Sequence, residues 1–121
     1  EDTQKDLHCT EPWFHGHMKD GRQMAERLIY EYCAETGGQD GTFLVRPSDR
    51  VVLSYTLSFW RNGRVQHCRV RVGNQGGRPY YFLTANLHFP SLISLIQHYR
   101  ENPLRCQDFE LRLTDAVPQP S

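Results

Sequence analysis

The stretch Gly41–Asp49, "GTFLVRPSD", decides how the chain folds. Its centre, Phe43-Leu44-Val45, is typical of a buried strand, yet the next residue is Arg46, whose guanidinium stays charged at any ordinary pH. Alternate side chains of a strand point to opposite faces, so Phe43 and Val45 share one face while Leu44 and Arg46 share the other. The face with Phe43 and Val45 is therefore predicted to pack into an apolar core. The other face carries the charge of Arg46, and the role of this charge depends on the neighbouring residues.

An amphipathic helix is predicted upstream of this strand. Apolar side chains recur there at the spacing of one helical face, at Met24, Ala25, Leu28, Ile29, Tyr32 and Cys33. We expect the helix to begin at Asp20 or Gly21, and the glycines of "ETGG" at residues 35–38 suit a left-handed cap at its end. The earlier segment "EPWFHG" predicts a short edge strand that enters the domain at Trp13.

Runs rich in β-branched and aromatic residues predict three strands near residues 42–47, 54–61 and 64–72. The dipeptide Asn62-Gly63 between the last two is a strong hairpin signal because both residues tolerate positive φ. These two strands are therefore expected to be antiparallel neighbours. "YYFL" at residues 80–83 predicts a further short strand.

A second helix is predicted after Pro90, which suits a first helical position. Its apolar face consists of Leu92, Leu95, Ile96 and Tyr99. It should end near Asn102-Pro103, before a last short strand in "FELRL". The chain is therefore predicted to be an α+β domain in which two α-helices flank a central antiparallel β-sheet.

The 121 residues fit one domain, predicted to cover residues 12–114, with linkers at residues 1–11 and 115–121. Lys and Arg together number 14, as do Asp and Glu, so the formal net charge is zero. This balance argues against a nucleic-acid or membrane binder held by overall basicity. No apolar run is long enough to cross a membrane, so no membrane insertion is expected. Any anion site must be local.

Four cysteines, Cys9, Cys33, Cys68 and Cys106, are widely spaced and form no CxxC pair. In a chain without a secretory signal, thiols in a reducing compartment are favoured over a disulfide, which stays an open alternative. The domain is therefore expected to be cytoplasmic.

Several basic residues together favour a local anion site. Alternation on the predicted hairpin gives His67 and Arg69 a common face, which would lie beside Arg46 if the strands adjoin. Arg22 lies in the first turn of the predicted helix, where the macrodipole disfavours a cation unless an anion binds. Ser48 and the backbone N–H groups after it are donors that suit phosphate. Each residue alone is more often an ordinary surface or structural side chain.

Seven segments resemble, in order and spacing, the Src homology 2 (SH2) domain over about residues 13–113. They are "WFHG", "AERLI", "GTFLVRPS", "YTLSFW", "VQHCRV", "YYFL" and "LISLIQHY". The resemblance implies a central antiparallel sheet between two helices, in agreement with the predicted elements. It also implies a function, because such domains bind phosphotyrosine in an extended peptide. They recruit a larger signalling protein to tyrosine-phosphorylated receptors or adaptors.

The resemblance implies two pockets. Arg46 would grip the phosphate with two hydrogen bonds. The other phosphotyrosine-binding residues would be Arg22, Ser48, Asp49, Arg50, His67 and Arg69. The pocket for residues after the phosphotyrosine would be lined by Cys68, Tyr80, Tyr81, Leu87 and Leu104, with the loop 84–87. The small side chain of Cys68 resembles family members that prefer apolar residues at the first and third positions after the phosphotyrosine.

The loop after Ser48 departs from the family pattern. Val51, Val52 and Leu53 are apolar where the family usually has polar residues and glycine, so they could contact the phosphotyrosine ring. Pro47 replaces an acidic residue, but other family members also carry "RPS", so the pocket is expected to persist. An SH2 module of another signalling or adaptor protein, with altered specificity, is the main alternative.

Other functional classes are less well supported. No nucleophile elbow, Gly-rich phosphate loop or paired-carboxylate site is present, so the chain is not expected to be an enzyme by itself. His8, Cys9, His15 and His17 match no standard zinc spacing, so neither a metal nor another cofactor is expected. RNA binding through "RNGRVQHCRV" is disfavoured by the zero net charge. The expected partners are tyrosine-phosphorylated peptides, with no nucleic acid, and the domain is expected to be monomeric.

Overall fold

The computed structural model describes residues 13–15, 21–47, 54–84, 86–105 and 110–118. Within these ranges, helix α1 covers Gly21–Thr36 and helix α2 covers Leu92–Glu101, and neither is long and apolar enough to cross a membrane. The strands are β1 Phe43–Pro47, β2 Tyr55–Arg61, β3 Arg64–Gln75, β4 Arg78–Thr84, β5 Leu87–Phe89, β6 Leu104–Arg105 and β7 Glu110–Leu111. The α+β class, with two helices and a central antiparallel sheet, is confirmed.

The central sheet has five strands in the order β1-β2-β3-β4-β5, and every neighbouring pair is antiparallel. The predicted hairpin between β2 and β3 turns at Asn62, whose φ is 56°. Strand β3 runs beyond its predicted end at residue 72, because its first half pairs with β2 and its second half pairs with β4. The short strands β6 and β7 pair separately.

Different helices cover the two faces of the sheet, as alternation along β1 predicts. Phe43 and Val45 are fully buried in the larger core cluster, together with the apolar face of α2. Leu44 belongs to a second cluster with Ile29 and other residues of α1. Since Arg46 is two residues further along the strand, it lies on the same face as Leu44, on the side of α1.

Both helices have defined ends. Helix α1 stops at Thr36, and Gly37 follows with a φ of 99°, so the predicted glycine cap is confirmed. The N-cap of α2 is Ser91, whose hydroxyl oxygen accepts a hydrogen bond from the backbone N–H of Ser94 at 3.0 Å. Pro90 therefore precedes the cap instead of occupying the first helical position, because the serine supplies the acceptor that the first turn needs.

The outer edge of β1 is covered by the two segments that border the domain. Phe14 forms a parallel bridge with Val45, and Ala116 forms one with Phe43. Val117 is 3% exposed, and its backbone N–H donates to the carbonyl oxygen of Phe43 at 2.9 Å. The segment expected to be a linker from residue 115 is therefore folded at its start, because it supplies hydrogen bonds to this strand edge.

Gly41 packs closely against the segment that follows β7. Its φ of 94° is a left-handed conformation that favours glycine. A Cβ atom built on Gly41 would collide with the carbonyl oxygen of Arg112. The carbonyl oxygen of Gly41 also accepts a hydrogen bond from the backbone N–H of Thr114 at 2.9 Å. The first residue of "GTFLVRPSD" thus connects the sheet to the C-terminal segment.

Candidate functional site

The basic residues predicted to act together lie on one face of the sheet. Arg46 on β1 is opposite Thr56 of β2, which in turn is opposite Arg69 of β3. Directly opposed residues point to the same face, and adjacent strands are about 4.8 Å apart, so the Cα atoms of Arg46 and Arg69 are about 10 Å apart. His67 is on the same face, opposite Ser58. Strand pairing therefore assembles the cluster that alternation had allowed.

Arg46 lies below the surface of this cluster and is only 4% exposed. Burial is the main cause that lowers the pKa of the His67 imidazole, and the charges of Arg22 and Arg46 lower it further. The three basic groups therefore share one region between α1 and the sheet. Burial reduces the effective dielectric constant, so an anion bound here would interact with the guanidinium more strongly than at the surface. The geometry therefore suits an anionic ligand.

Arg22 lies at the rim of the cluster, in the first turn of α1. Its side chain is 71% exposed, and its Nε atom is 3.7 Å from Oε2 of Glu26, one helical turn further on. An ion pair this exposed adds little to stability. The guanidinium is therefore available to turn toward a ligand, but it lies beside a carboxylate when no ligand is bound.

His67 is held by two side chains. Its Nε2 atom lies 2.9 Å from Oε2 of Glu26, and its Nδ1 atom lies 2.8 Å from Oγ of Ser58. Because a carboxylate can only accept, Nε2 carries the proton and donates to Glu26, while Nδ1 accepts from the hydroxyl of Ser58. Burial, the largest cause, lowers the pKa of His67, whereas the hydrogen bond to Glu26 raises it. At neutral pH the ring is therefore uncharged and both nitrogens are engaged.

The resemblance implies that His67 lines the phosphate pocket, and these contacts bear on how it would do so. With its one N–H donated to Glu26, the neutral ring contributes to the wall of the cluster and has no second N–H to offer an anion. Sequence reasoning missed Glu26 altogether. Its position four residues after Arg22 was a usable signal, because side chains at that spacing are neighbours on a helix.

Three predicted phosphate-binding residues, Ser48, Asp49 and Arg50, lie outside the described residues. The apolar loop residues Val51 to Leu53 also lie outside them. The roles given to these residues stay predictions. Of the remaining predicted phosphotyrosine-binding residues, the structure brings together Arg22, Arg46, His67 and Arg69.

A cleft of about 230 Å³ adjoins this cluster along β3. It is lined by Cys68, Arg69, Arg71, Leu83, Thr84 and Leu104. The cleft therefore brings together Cys68 and Leu104, which were both predicted for a second pocket. Cys68 is a thiol and forms no disulfide, and the same is true of Cys33. Arg71 and Leu83 were not expected in this pocket, because the pairing of β3 with β4 that brings them there was not evident from the sequence.

Three residues predicted for the second pocket do not line this cleft. Tyr81 is 7% exposed and belongs to the core. Tyr80 stacks on His88 with ring centroids 4.4 Å apart, and Leu87 is 37% exposed. Alternation along β4 explains the placement of Tyr80, which points to the face opposite that of Leu83.

A larger cleft of about 320 Å³ lies beside α2. It is lined by Trp13, Ile93, Ile96, Gln97, Arg100 and Glu101. None of these was predicted as a site residue. Because α2 and Arg46 are on opposite faces of the sheet, this cleft is separate from the basic cluster.

Of the four early His and Cys residues considered as a zinc site, the structure describes His15, since His8, Cys9 and His17 lie outside the described residues. Its Nε2 atom donates to the carbonyl oxygen of Val117 at 2.7 Å, and burial lowers its pKa. In the described part of the chain, no group of three or more His, Cys, Asp or Glu side chains is placed to hold a metal ion. His15 therefore has a structural role.

Comparison with known proteins relates this arrangement to a family. The family profile described as "SH2 domain" matches residues 13–99. The "1-phosphatidylinositol 4,5-bisphosphate phosphodiesterase gamma-2" proteins of Homo sapiens and Rattus norvegicus are each 60% identical over 116 residues, covering 96% of this chain. The "gamma plc-3" phosphodiesterase of Caenorhabditis elegans is 31% identical over 116 residues. The chain spans only 9% of the length of the mammalian relatives and 8% of the nematode one.

Proposed function

Because the chain belongs to the SH2 domain family, we propose that it is a phosphotyrosine-dependent peptide-binding module. The observation that carries this proposal is the guanidinium of Arg46, 4% exposed, on a sheet face that also holds His67 and Arg69. Phosphotyrosine carries nearly two negative charges and three strong acceptor oxygens. A planar guanidinium can donate two parallel hydrogen bonds to it, a geometry that lysine cannot copy.

The depth of Arg46 supports selectivity for phosphotyrosine. A phosphate that reaches a guanidinium below the surface must be carried on a long side chain, so phosphoserine and phosphothreonine are too short. Arg22 at the rim would contact the phosphate and the face of the ring. Ser48, with the backbone N–H groups that follow it, would donate to the remaining phosphate oxygens.

The cleft beside Cys68 is proposed to accept the peptide residues that follow the phosphotyrosine. Three of its lining residues, Cys68, Leu83 and Leu104, have apolar or weakly polar side chains, which supports a preference for apolar residues at the first and third following positions. Buried apolar contact contributes about 25 cal/mol per Å², so this cleft would add affinity and sequence preference to the phosphate contacts.

The parent protein is proposed to be a phosphoinositide-specific phospholipase C-gamma. The segments "EYCAETGG" and "PLRC" are similar to the amino-terminal one of the two SH2 domains in that enzyme, and the phosphodiesterase gamma-2 relatives support the same parent. In this proposal the domain is a monomeric module without catalysis of its own. It carries a cytoplasmic enzyme to phosphorylated receptors or adaptors at the plasma membrane.

A pair of peptides tests this function. A phosphotyrosyl peptide with apolar residues at the first and third following positions should bind with a Kd of about 1 μM or tighter. This Kd corresponds to a binding free energy of about −8 kcal/mol or more negative. Isothermal titration calorimetry measures this affinity directly. The same peptide without the phosphate should show no binding at the same concentrations.

Two controls complete the test. A phosphoserine version of the peptide should bind far more weakly, because its phosphate cannot reach Arg46. If the phosphorylated and unphosphorylated peptides bind equally, the proposed function is wrong. If the phosphotyrosyl peptide binds but polar residues at both following positions leave affinity unchanged, the alternative of an SH2 module with another specificity is correct.

A further inference from the structure

Glu26 places a carboxylate within the cluster of cations that is proposed to bind phosphate. Its Oε2 atom lies 2.9 Å from Nε2 of His67 and 3.7 Å from Nε of Arg22. A carboxylate at this position repels a phosphate that approaches the same cations. Helix stability does not account for it, because an exposed pair between side chains four residues apart contributes only a few tenths of a kcal/mol.

We infer that Glu26 is a positioning residue that lowers the affinity of the pocket by competing with phosphate for Arg22. This inference rests on the proposed function. It assigns to Glu26 the control of how tightly the domain holds phosphotyrosine, whereas Arg46 provides the anchor.

The exposure of Arg22 allows the exchange of partners. Because its side chain is 71% exposed, the guanidinium can leave Glu26 for a ligand without opening the core. A phosphate with nearly two charges is a stronger partner than a single carboxylate. Binding therefore replaces the Arg22–Glu26 ion pair with a stronger pair between Arg22 and phosphate. The net binding free energy from Arg22 is smaller than it would be if Arg22 had no counter-ion before binding.

His67 keeps Glu26 in this position. The imidazole is 11% exposed, and its other nitrogen is fixed by Ser58, which is fully buried. Glu26 is therefore tied to the sheet through a ring that cannot easily turn. A surface carboxylate without such a tie would swing away from an incoming phosphate, but withdrawal of Glu26 costs the hydrogen bond from Nε2 of His67.

The variant Glu26→Gln isolates the charge. Its amide oxygen still accepts from His67, and glutamine is as good a helix former as glutamate, so the fold is retained. Glu31→Gln is the matched control, since Glu31 pairs with Arg27 on the same helix at 3.1 Å and its loss changes the net charge equally. Calorimetry should show that Glu26→Gln binds the phosphotyrosyl peptide about threefold to tenfold tighter than Glu31→Gln.

A merely structural role for Glu26 would give the opposite sign, because a disturbed pocket binds more weakly. Unchanged or weaker binding by Glu26→Gln therefore overturns the inference. The competition must also depend on Arg22. In an Arg22→Ala background the gain from Glu26→Gln should shrink, and an undiminished gain contradicts competition for Arg22.

The wild-type titrations separate this inference from the proposed function. If wild type binds the phosphorylated peptide selectively and Glu26→Gln brings no gain, the role of Glu26 alone is wrong. If wild type does not distinguish the two peptides, the function is wrong and the role of Glu26 is wrong with it.

Discussion

Arg46 owes its position to the two faces of a five-residue strand. Phe43 and Val45 bind β1 to the core beneath α2, and the alternation that buries them directs Arg46 to the other side. This much follows from the sequence, because alternation is local. The contact between Glu26 and His67 cannot be predicted in this way, because it depends on how α1 packs against β3, and the periodicity of the sequence does not specify that packing.

Replacement of Arg46 tests the anchor at this scale. Arg46→Ala should weaken binding of the phosphotyrosyl peptide by at least about 3 kcal/mol, because it removes charge-assisted hydrogen bonds from a desolvated phosphate. Arg46→Lys should recover only part of this loss, because an ammonium group cannot make the paired contact. Calorimetry gives both affinities.

Arg64→Ala is the control for Arg46, since Arg64 is exposed at the start of β3 and its loss changes the net charge equally. It should alter affinity by less than about 0.5 kcal/mol. Thermal unfolding establishes that each variant is folded. A folded Arg46→Ala protein with wild-type affinity would show that another residue anchors the phosphate.

At the scale of elements, the helices and the β2–β3 hairpin are predictable from the sequence because their signals are local. The Asn62-Gly63 turn and the apolar spacing of α1 and α2 specify them without reference to the rest of the chain. The lining of the second cleft is less predictable. Alternation along β4 puts Tyr80 and Leu83 on opposite faces, but which of the two faces the cleft depends on how β4 pairs with β3, and this pairing has no local signal in the sequence.

Gly41 tests the contact between elements. Gly41→Ala should lower the free energy of unfolding by more than about 2 kcal/mol, because the new Cβ is strained at positive φ and also collides with the carbonyl oxygen of Arg112. Urea unfolding followed by circular dichroism measures the loss.

Gly76→Ala separates strain from collision. Gly76 has a φ of 60° with open space where a Cβ would lie, so its replacement should cost only about 1 kcal/mol from backbone strain. Equal losses for the two variants would mean that the C-terminal segment does not pack against Gly41 in solution.

At the scale of the whole molecule, one buried and one partly buried histidine, His15 and His67, predict how stability depends on pH. Burial lowers the pKa of His15 and of His67, while in the unfolded chain each has the ordinary value of about 6.5. At a pH between the lowered folded-state pKa and the unfolded-state pKa, the unfolded chain binds a proton on each histidine that the folded chain does not bind. The free energy of unfolding is therefore at its full value above about pH 7.5. It declines as the pH falls through 6.5, by up to about 1.4 kcal/mol per pH unit for each histidine.

Urea unfolding between pH 8 and pH 5.5 measures this slope. His15→Gln is the informative variant, because the glutamine amide can still donate to the carbonyl oxygen of Val117 but does not titrate. It should be less sensitive to acid than wild type over this range. Stability that stays constant or increases from pH 7.5 to 5.5 would contradict the assignment of both rings as neutral in the folded state.

The contacts along the outer edge of β1 bear on how such a domain is built into a longer polypeptide. Phe14 and Ala116 meet the strand at Val45 and Phe43, two residues apart, which is about 7 Å along a strand. A domain whose entry and exit are this close can be inserted into a host protein at a single surface position without separating the flanking sequences. The same contacts pair the backbone groups along the outer edge of β1, so this edge of the sheet is protected against edge-to-edge association with another chain.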